Sequence, residues 1–334
     1  MRTTFVQHLL HEGDRFPGST GEFTGLLTRI DQAAKAIARE LQQAGLADRL
    51  GCTGEVNIQG EKVKKLDQWS NEIFVETLKK SRAACLLVSE EMDEPLHVED
   101  CCEEGKYVVC FDPIDGSSNI DVNGILGTIF SVLRRRGAGA GHAASDALQK
   151  GAEQIAAGYV MYGPSTILVY TAGRSVTGFI LDPRTGEFLL SHPNIRIPAR
   201  GSTYSVNEGN YHRWHPQARR VVDYFREPDA RSGRPYALRY AGSLVADLHR
   251  TLLEGGIYLY PVDADNPDKP AGKLRLLYEA SPLGFIAEVA GGRASTGRER
   301  ILDIQPSSHH QRVPLIIGSA EDVALAEEFH QGRR

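Results

Sequence analysis

With 334 residues, 41% of them hydrophobic and 24% charged, the chain is long enough for two globular domains or one large one, and a mainly disordered protein is excluded. A formal net charge of -5 argues against a nucleic-acid surface, which shows as basic excess, so an anionic ligand would need metals or local cations. No apolar run reaches the length of about 20 residues needed to span a membrane, and Met1-Arg2-Thr3-Thr4-Phe5 lacks a signal-peptide core, so a cytoplasmic protein with no membrane partner is expected.

In chain order, Leu26, Leu27, Ile30, Ala34, Ile37, Ala38 and Leu41 recur at helical spacing and predict an amphipathic helix over residues 24–43, stopped at Gly45. A second helix is predicted over residues 68–80, burying Trp69, Ile73, Phe74 and Leu78, with Glu61 and Asp67 in a loop just upstream. The short apolar runs 85–88 and 107–111 read as buried strands, each ending on carboxylates. Arg134-Arg135-Arg136 and the following Gly137-Ala138-Gly139-Ala140-Gly141 read as an exposed connection; with no GxxxxGK[ST] anywhere, a P-loop kinase is disfavoured. Further strands are expected at 167–171, 178–181 and 256–260, and helices at 241–254 and 282–290. The class is mixed α/β or α+β, with a boundary near Pro198-Ala199. The five cysteines, Cys52, Cys85, Cys101, Cys102 and Cys110, form neither an even disulfide framework nor a pair of zinc hooks, so reduced thiols are expected, the vicinal Cys101-Cys102 included.

Chemistry concentrates where Glu90-Glu91 follows one strand and Asp112-Pro113-Ile114-Asp115-Gly116-Ser117-Ser118 follows another. Four acids converging at strand ends repel unless cations sit between them, and hard oxygen ligands in this number suit Mg²⁺ or Mn²⁺ better than zinc. Pro113 fixes the chain so that both aspartates can face one site with the Ile114 carbonyl exposed. The Gly116-Ser117-Ser118 turn offers amides and hydroxyls to a phosphate. Taken alone, the motif is an ordinary Asp/Gly turn; its pairing with Glu90-Glu91 makes it a metal site.

The run from Val108 to Asp121 resembles the signature of class I fructose-1,6-bisphosphatases, within the lithium-sensitive, metal-dependent phosphomonoesterase superfamily. Val63-Lys64-Lys65-Leu66-Asp67, Leu87-Val88-Ser89-Glu90-Glu91, Ser205-Val206-Asn207-Glu208-Gly209, Arg239-Tyr240-Ala241-Gly242-Ser243 and the run from Gly272 to Glu279 extend the resemblance over nearly the whole chain. It implies a layered αβαβα fold in two parts, residues 1–197 with the acidic cluster and 198–334 with sugar-phosphate contacts. It implies two or more Mg²⁺ ions (or Mn²⁺) on Glu90, Asp112, the Ile114 carbonyl, Asp115 and Glu279, with Asp67, Glu91 and Glu61 completing the acidic site. Asp115, Gly116, Ser117, Ser118 and Lys273 would meet the reacting end of a sugar bisphosphate. Asn207, Tyr211, Tyr240, Tyr258, Leu259 and Tyr260 would lie at its far end, and Arg239 would reach a neighbouring subunit's site in a homo-oligomer, a tetramer by resemblance.

Glu61 stands where relatives carry Asp, and the stretch 262–271 is longer than theirs, which bears on the rim beside Lys273 and on sugar choice. Thr20, Gly21, Glu22, Phe23, Thr24, Lys106, Tyr107 and Arg134 resemble an AMP site, a helix N-terminus with basic side chains; the plainer reading is a helix capped by Thr20. The rival functions are a sedoheptulose-1,7-bisphosphatase or dual-substrate enzyme, and a catalytically idle nucleotide-binding scaffold. Retention of six acidic residues that repel one another argues against the scaffold.

Overall fold

A computed structural model describes residues 2–13, 20–46, 50–56, 62–98, 105–136, 143–264 and 271–334. Helices α1 (Phe5–Gly13) and α2 (Glu22–Leu41) lead to a ribbon of β1 (Cys52–Val56) and β2 (Lys62–Lys64), then to α3 (Lys65–Lys79). Strands β3 (Ala84–Ser89), β4 (Leu96–His97), β5 (Tyr107–Asp115) and β6 (Leu126–Arg134) follow, then a short helix α4 (Ala143–Ala147). A meander comes next: β7 (Ala156–Tyr162), β8 (Thr166–Thr171), β9 (Val176–Asp182) and β10 (Glu187–Ile195). The remaining chain runs through β11 (Thr203–Ser205), α5 (Pro216–Arg226), β12 (Ala237–Leu238), α6 (Leu244–Glu254), β13 (Ile257–Tyr260) and β14 (Leu274–Arg275). It ends with α7 (Ser281–Val289), β15 (Arg293–Ser295), β16 (Arg312–Val313), β17 (Leu315–Gly318) and α8 (Ala320–His330).

An eight-stranded sheet, in the order β10-β9-β8-β7-β6-β5-β3-β4, is antiparallel except where β3 runs beside β5. A five-stranded sheet has the order β12-β11-β13-β17-β15. Strand alternation divides the first sheet's side chains between two cores. Phe130, Val132, Val160, Leu168 and Tyr170 pack against α1, α2 and α3. Their neighbours Ile129, Tyr159, Ile167 and Val169 pack against α6, α7 and one face of the second sheet. The other face of that sheet, Tyr204, Ile257, Leu259 and Ile316, is covered by α5 and α8. The layers therefore run αβαβα, the expected fold, and both sheets are buried on both faces.

Several sequence expectations shift. The first long helix begins at Glu22, capped by Gly21 in the left-handed region rather than by Thr20. The second begins at Lys65, so Asp67 sits in its first turn, not in a loop. Strand β5 does not stop before the aspartates but runs through them to Asp115. Glu61, Cys101, Cys102, residues 137–141 and most of the stretch 262–271 lie outside the described residues. No described helix is long and apolar enough to cross a membrane.

Candidate active site

In a regular strand, residues three apart face opposite sides. Asp112 pairs with Ile129 and Asp115 with Gly127, so Pro113 and Ile114 together oppose Thr128 alone. This bulge adds one residue to β5 and turns both carboxylates to one face. There an oxygen from each lies with one from Glu279 within 4.8 Å of one another, all three residues buried. Pro113 has no N–H to lose from the ladder, and its carbonyl accepts a hydrogen bond from Thr128 Oγ1 at 2.7 Å. With that hydrogen spent, Tyr162 Oη donates to Thr128 Oγ1 at 2.8 Å. The amide of Ile114 donates to Asp112 Oδ1 at 3.0 Å.

Asp115 is also held from the far side. Ser243 Oγ donates to its Oδ2 at 2.8 Å, Val245 N to Oδ2 at 3.0 Å and Leu244 N to Oδ1 at 3.4 Å. The carboxylate thus sits on the N-terminus of α6, where orphan amides and the helix dipole favour negative charge. Two glycines permit this approach. A Cβ on Gly127 would meet Val245 Cγ2 at 2.4 Å, and Gly116, at φ +80°, passes Ser243 where a Cβ would lie 3.1 Å from the serine's Cβ.

Glu90 and Glu91 continue directly from β3, and Glu90 N donates to Phe111 O at 3.1 Å, which ties the acidic pair to β5. Asp67 accepts from Lys64 N at the start of α3 at 3.3 Å. Glu279 lies in a π-turn, Leu276–Ala280, that leads into α7, and accepts from the Arg275 amide. Arg275, almost wholly buried, places Nη2 2.7 Å from Glu90 Oε1. One guanidinium does not balance this many acids. Burial raises Glu279 to about 8 against the opposing pull of Arg275. Burial raises Asp115 to about 6 in spite of its hydrogen bonds to the α6 terminus. Burial, then Glu90, Asp115 and Glu279, push Asp112 well above the carboxylate range. Carboxylates in such straits are prepared for cations, so this oxygen-rich set fits one or more hard metal ions.

These groups line a cavity of about 470 Å³ together with Glu91 and Asp67. Gly116, Ser117 and Ser118 line it where β5 gives way to a 3-10 turn, whose first amides have no acceptor within the turn. Asn207, Tyr240, Tyr258, Tyr260 and Lys273 line the same cavity. Two expected contacts are placed elsewhere. The Tyr211 hydroxyl donates to Asp223 at 2.7 Å and its ring packs on Trp214. Leu259 faces a neighbouring cavity. Exposed Arg239 donates to the Leu238 carbonyl. Sequence reasoning passed over Arg275, although its place between Lys273 and Glu279 was a usable signal, and Thr128, which no motif marks.

At the other end of β5 the Thr20 to Thr24 segment does meet the basic residues. Lys106 Nζ lies 2.6 Å from Glu22 Oε2, the Phe23 and Tyr107 rings are 5.7 Å apart, and Arg134 is the strand partner of Tyr107.

Fold and site define a layered α/β protein built around a cation-binding carboxylate cavity at the end of a buried strand. The chain belongs to the fructose-1,6-bisphosphatase family: residues 3–193 match the N-terminal domain model and residues 197–331 the C-terminal domain model. It is 52% identical to a class 1 fructose-1,6-bisphosphatase from Oleidesulfovibrio alaskensis, covering 99% of this chain and 98% of that one. A class 1 fructose-1,6-bisphosphatase from Chloroherpeton thalassium is 53% identical over 99% of this chain and 94% of its own. The crystal structure of Leishmania major fructose-1,6-bisphosphatase in holo form superimposes with a TM-score of 0.91 at 40% identity, covering 99% of each chain.

Proposed function

We propose that the chain hydrolyses D-fructose 1,6-bisphosphate to fructose 6-phosphate and phosphate, with Mg²⁺ (or Mn²⁺) as cofactor. The observation that carries this reading is one cavity lined both by buried carboxylates and by Lys273, Asn207, Tyr240 and Tyr260. Such a cavity can hold a doubly phosphorylated sugar by both ends. The curated relatives bear the fructose name, so a sedoheptulose bisphosphatase is not favoured.

Glu90, Asp112, the Ile114 carbonyl, Asp115 and Glu279 would hold the cations. Bound there, cations neutralise phosphate charge and lower the pKa of water. The chain's own residues do the rest. Asp67 or Glu91 takes the proton of the attacking water. The amides and hydroxyls after Gly116 hold the reacting phosphate, and Lys273 the sugar and its oxygens. Asn207 and the tyrosines grip the phosphate that does not react and fix the sugar's direction. Arg275 keeps Glu90 turned inward. Residues 1–197 and 198–334 divide the labour between acidic cluster and sugar-phosphate contacts. The protein works in the cytoplasm as a homotetramer in which Arg239, exposed beside Leu238 and Tyr240, serves a neighbour's cavity. The Glu22, Lys106, Tyr107 and Arg134 cluster binds AMP.

Phosphate release from both bisphosphates, with Mg²⁺ and with EDTA, tests the reading. Turnover of fructose 1,6-bisphosphate in Mg²⁺ alone supports it. Full turnover in EDTA, or a preference for sedoheptulose 1,7-bisphosphate, overturns it.

A further inference from the structure

A cavity of about 550 Å³ lies apart from the acidic one. It opens on the other side of Tyr260, which lines both, between the start of α5, the 295–300 turn, β16 and the end of α8. Its walls carry Arg298, Arg312, His215 and His330, and among the described lining residues Glu299 is the single acid. Gln217 and Thr296 add neutral polar groups. His215 is the cap position before α5, and Gln217 and Ala218 lie in the first turn of that helix of 11 residues, which has no acid in its first turn and no side-chain cap. The basic side chains and the positive end of that helix dipole face the same space.

From this we infer a second anion site, distinct from the catalytic cavity, that takes a small, multiply charged metabolite bearing a phosphoryl or carboxylate group. The volume lies in the range of small-molecule pockets and exceeds the needs of a lone ion. Arg298 and Arg312 come from separate elements, the turn before residue 301 and β16, so they can approach one anion from two directions with forked hydrogen bonds. The field is already positive: His330 is lowered by burial and then by Arg298, His215 and Arg220. Its ring is packed over Gly297, where a Cβ would come within 2.7 Å of it, so His330 is a fixed reporter inside the cavity wall. Occupation has a route to the catalytic cavity through the shared Tyr260 wall and through the β16 to β14 pairing, which sets Arg312 opposite Arg275.

The test follows the His330 ring by NMR in the full chain. Inorganic phosphate, 3-phosphoglycerate and malonate are titrated separately against sodium chloride at matched ionic strength. An anion in the cavity favours the imidazolium, so the His330 titration moves up. Response to phosphate and 3-phosphoglycerate assigns a phosphoryl ligand, and response to malonate a carboxylate. Arg298→Gln should weaken the responding ligand by about tenfold, as expected for losing a charge-assisted hydrogen bond, and leave basal hydrolysis unchanged. The response should survive Lys273→Ala. No movement of His330 at millimolar anion, equal titrations in wild type and Arg298→Gln, or loss of the response in Lys273→Ala would each overturn the proposal.

Discussion

The two ends of β5 handle charge in contrasting ways. At its beginning, Lys106 pairs with Glu22 at the surface and Tyr107 packs beside Phe23, so Glu22 has a cation beside it. At its end, Asp112 and Asp115 are buried with Glu279, Glu90 and Glu91 nearby, and Arg275 covers only part of that charge. One end is complete as folded and can be altered at small cost. The other is built to be unstable without cations, and that deficit makes it a site.

Removing the deficit should have the largest effect. Asp112→Asn, or EDTA on the wild type, should lower kcat by about 10³-fold or more, the scale of several kcal/mol of lost charge stabilisation. Circular dichroism of the variant should match wild type; a variant that turns over normally would contradict the assignment of Asp112.

Loosening the bulge should come next. Thr128→Val leaves the Pro113 carbonyl and the Tyr162 hydroxyl without their buried partner, at about 1–3 kcal/mol of stability. It should also lower kcat by about 10²-fold through misplaced carboxylates. Thr128→Ser keeps the hydroxyl and should restore most of both. A Val variant that keeps wild-type stability and kcat while the Ser variant loses both would show that the methyl, not the hydrogen bond, matters.

Acidity sharpens the same contrast. Glu279 at about 8 and Asp115 at about 6 lie above the ordinary 4.5 and 3.8. The folded chain in EDTA therefore keeps protons that the unfolded chain has released. Its stability should fall as pH rises from about 4 to 8, then level off. Saturating Mg²⁺ should flatten this slope, since bound cations hold the ionised forms. A Tm that climbs with pH in EDTA would refute the account.

The smallest effect belongs to the matched end. Lys106→Ala breaks a surface ion pair and should cost less than about 1 kcal/mol. Basal turnover should be preserved while calorimetry shows weaker AMP binding. If wild type binds no AMP at millimolar concentration, the Glu22 cluster is a plain helix start.

Much of this was legible because the signals were local. Helical spacing marked α2, and two runs of β-forming residues marked β3 and β5. The acidic residues stood out because strand ends gather ligands. What stayed hidden depends on pairing. The bulge exists only in the register of β5 against β6, so the strand looked as if it stopped before Asp112. Strands β6 and β7 escaped notice because residues buried on both faces lack a clear alternation. The hold of α6 on Asp115 joins residues about 130 positions apart in sequence. Tyr211 was named from a motif, but its hydroxyl donates to Asp223 and it does not line the cavity, because side-chain direction, not proximity in sequence, decides who does.

That hold on Asp115 has a bearing on how the protein is made. During synthesis the DPIDG segment leaves the ribosome more than a hundred residues before Ser243, Leu244 and Val245, and earlier still than Glu279. A nascent chain that stops short of α6 has its two aspartates but neither their anchor nor their third carboxylate. Such a fragment cannot assemble the carboxylate cluster, so hydrolytic competence has to wait until the chain has been made past Glu279.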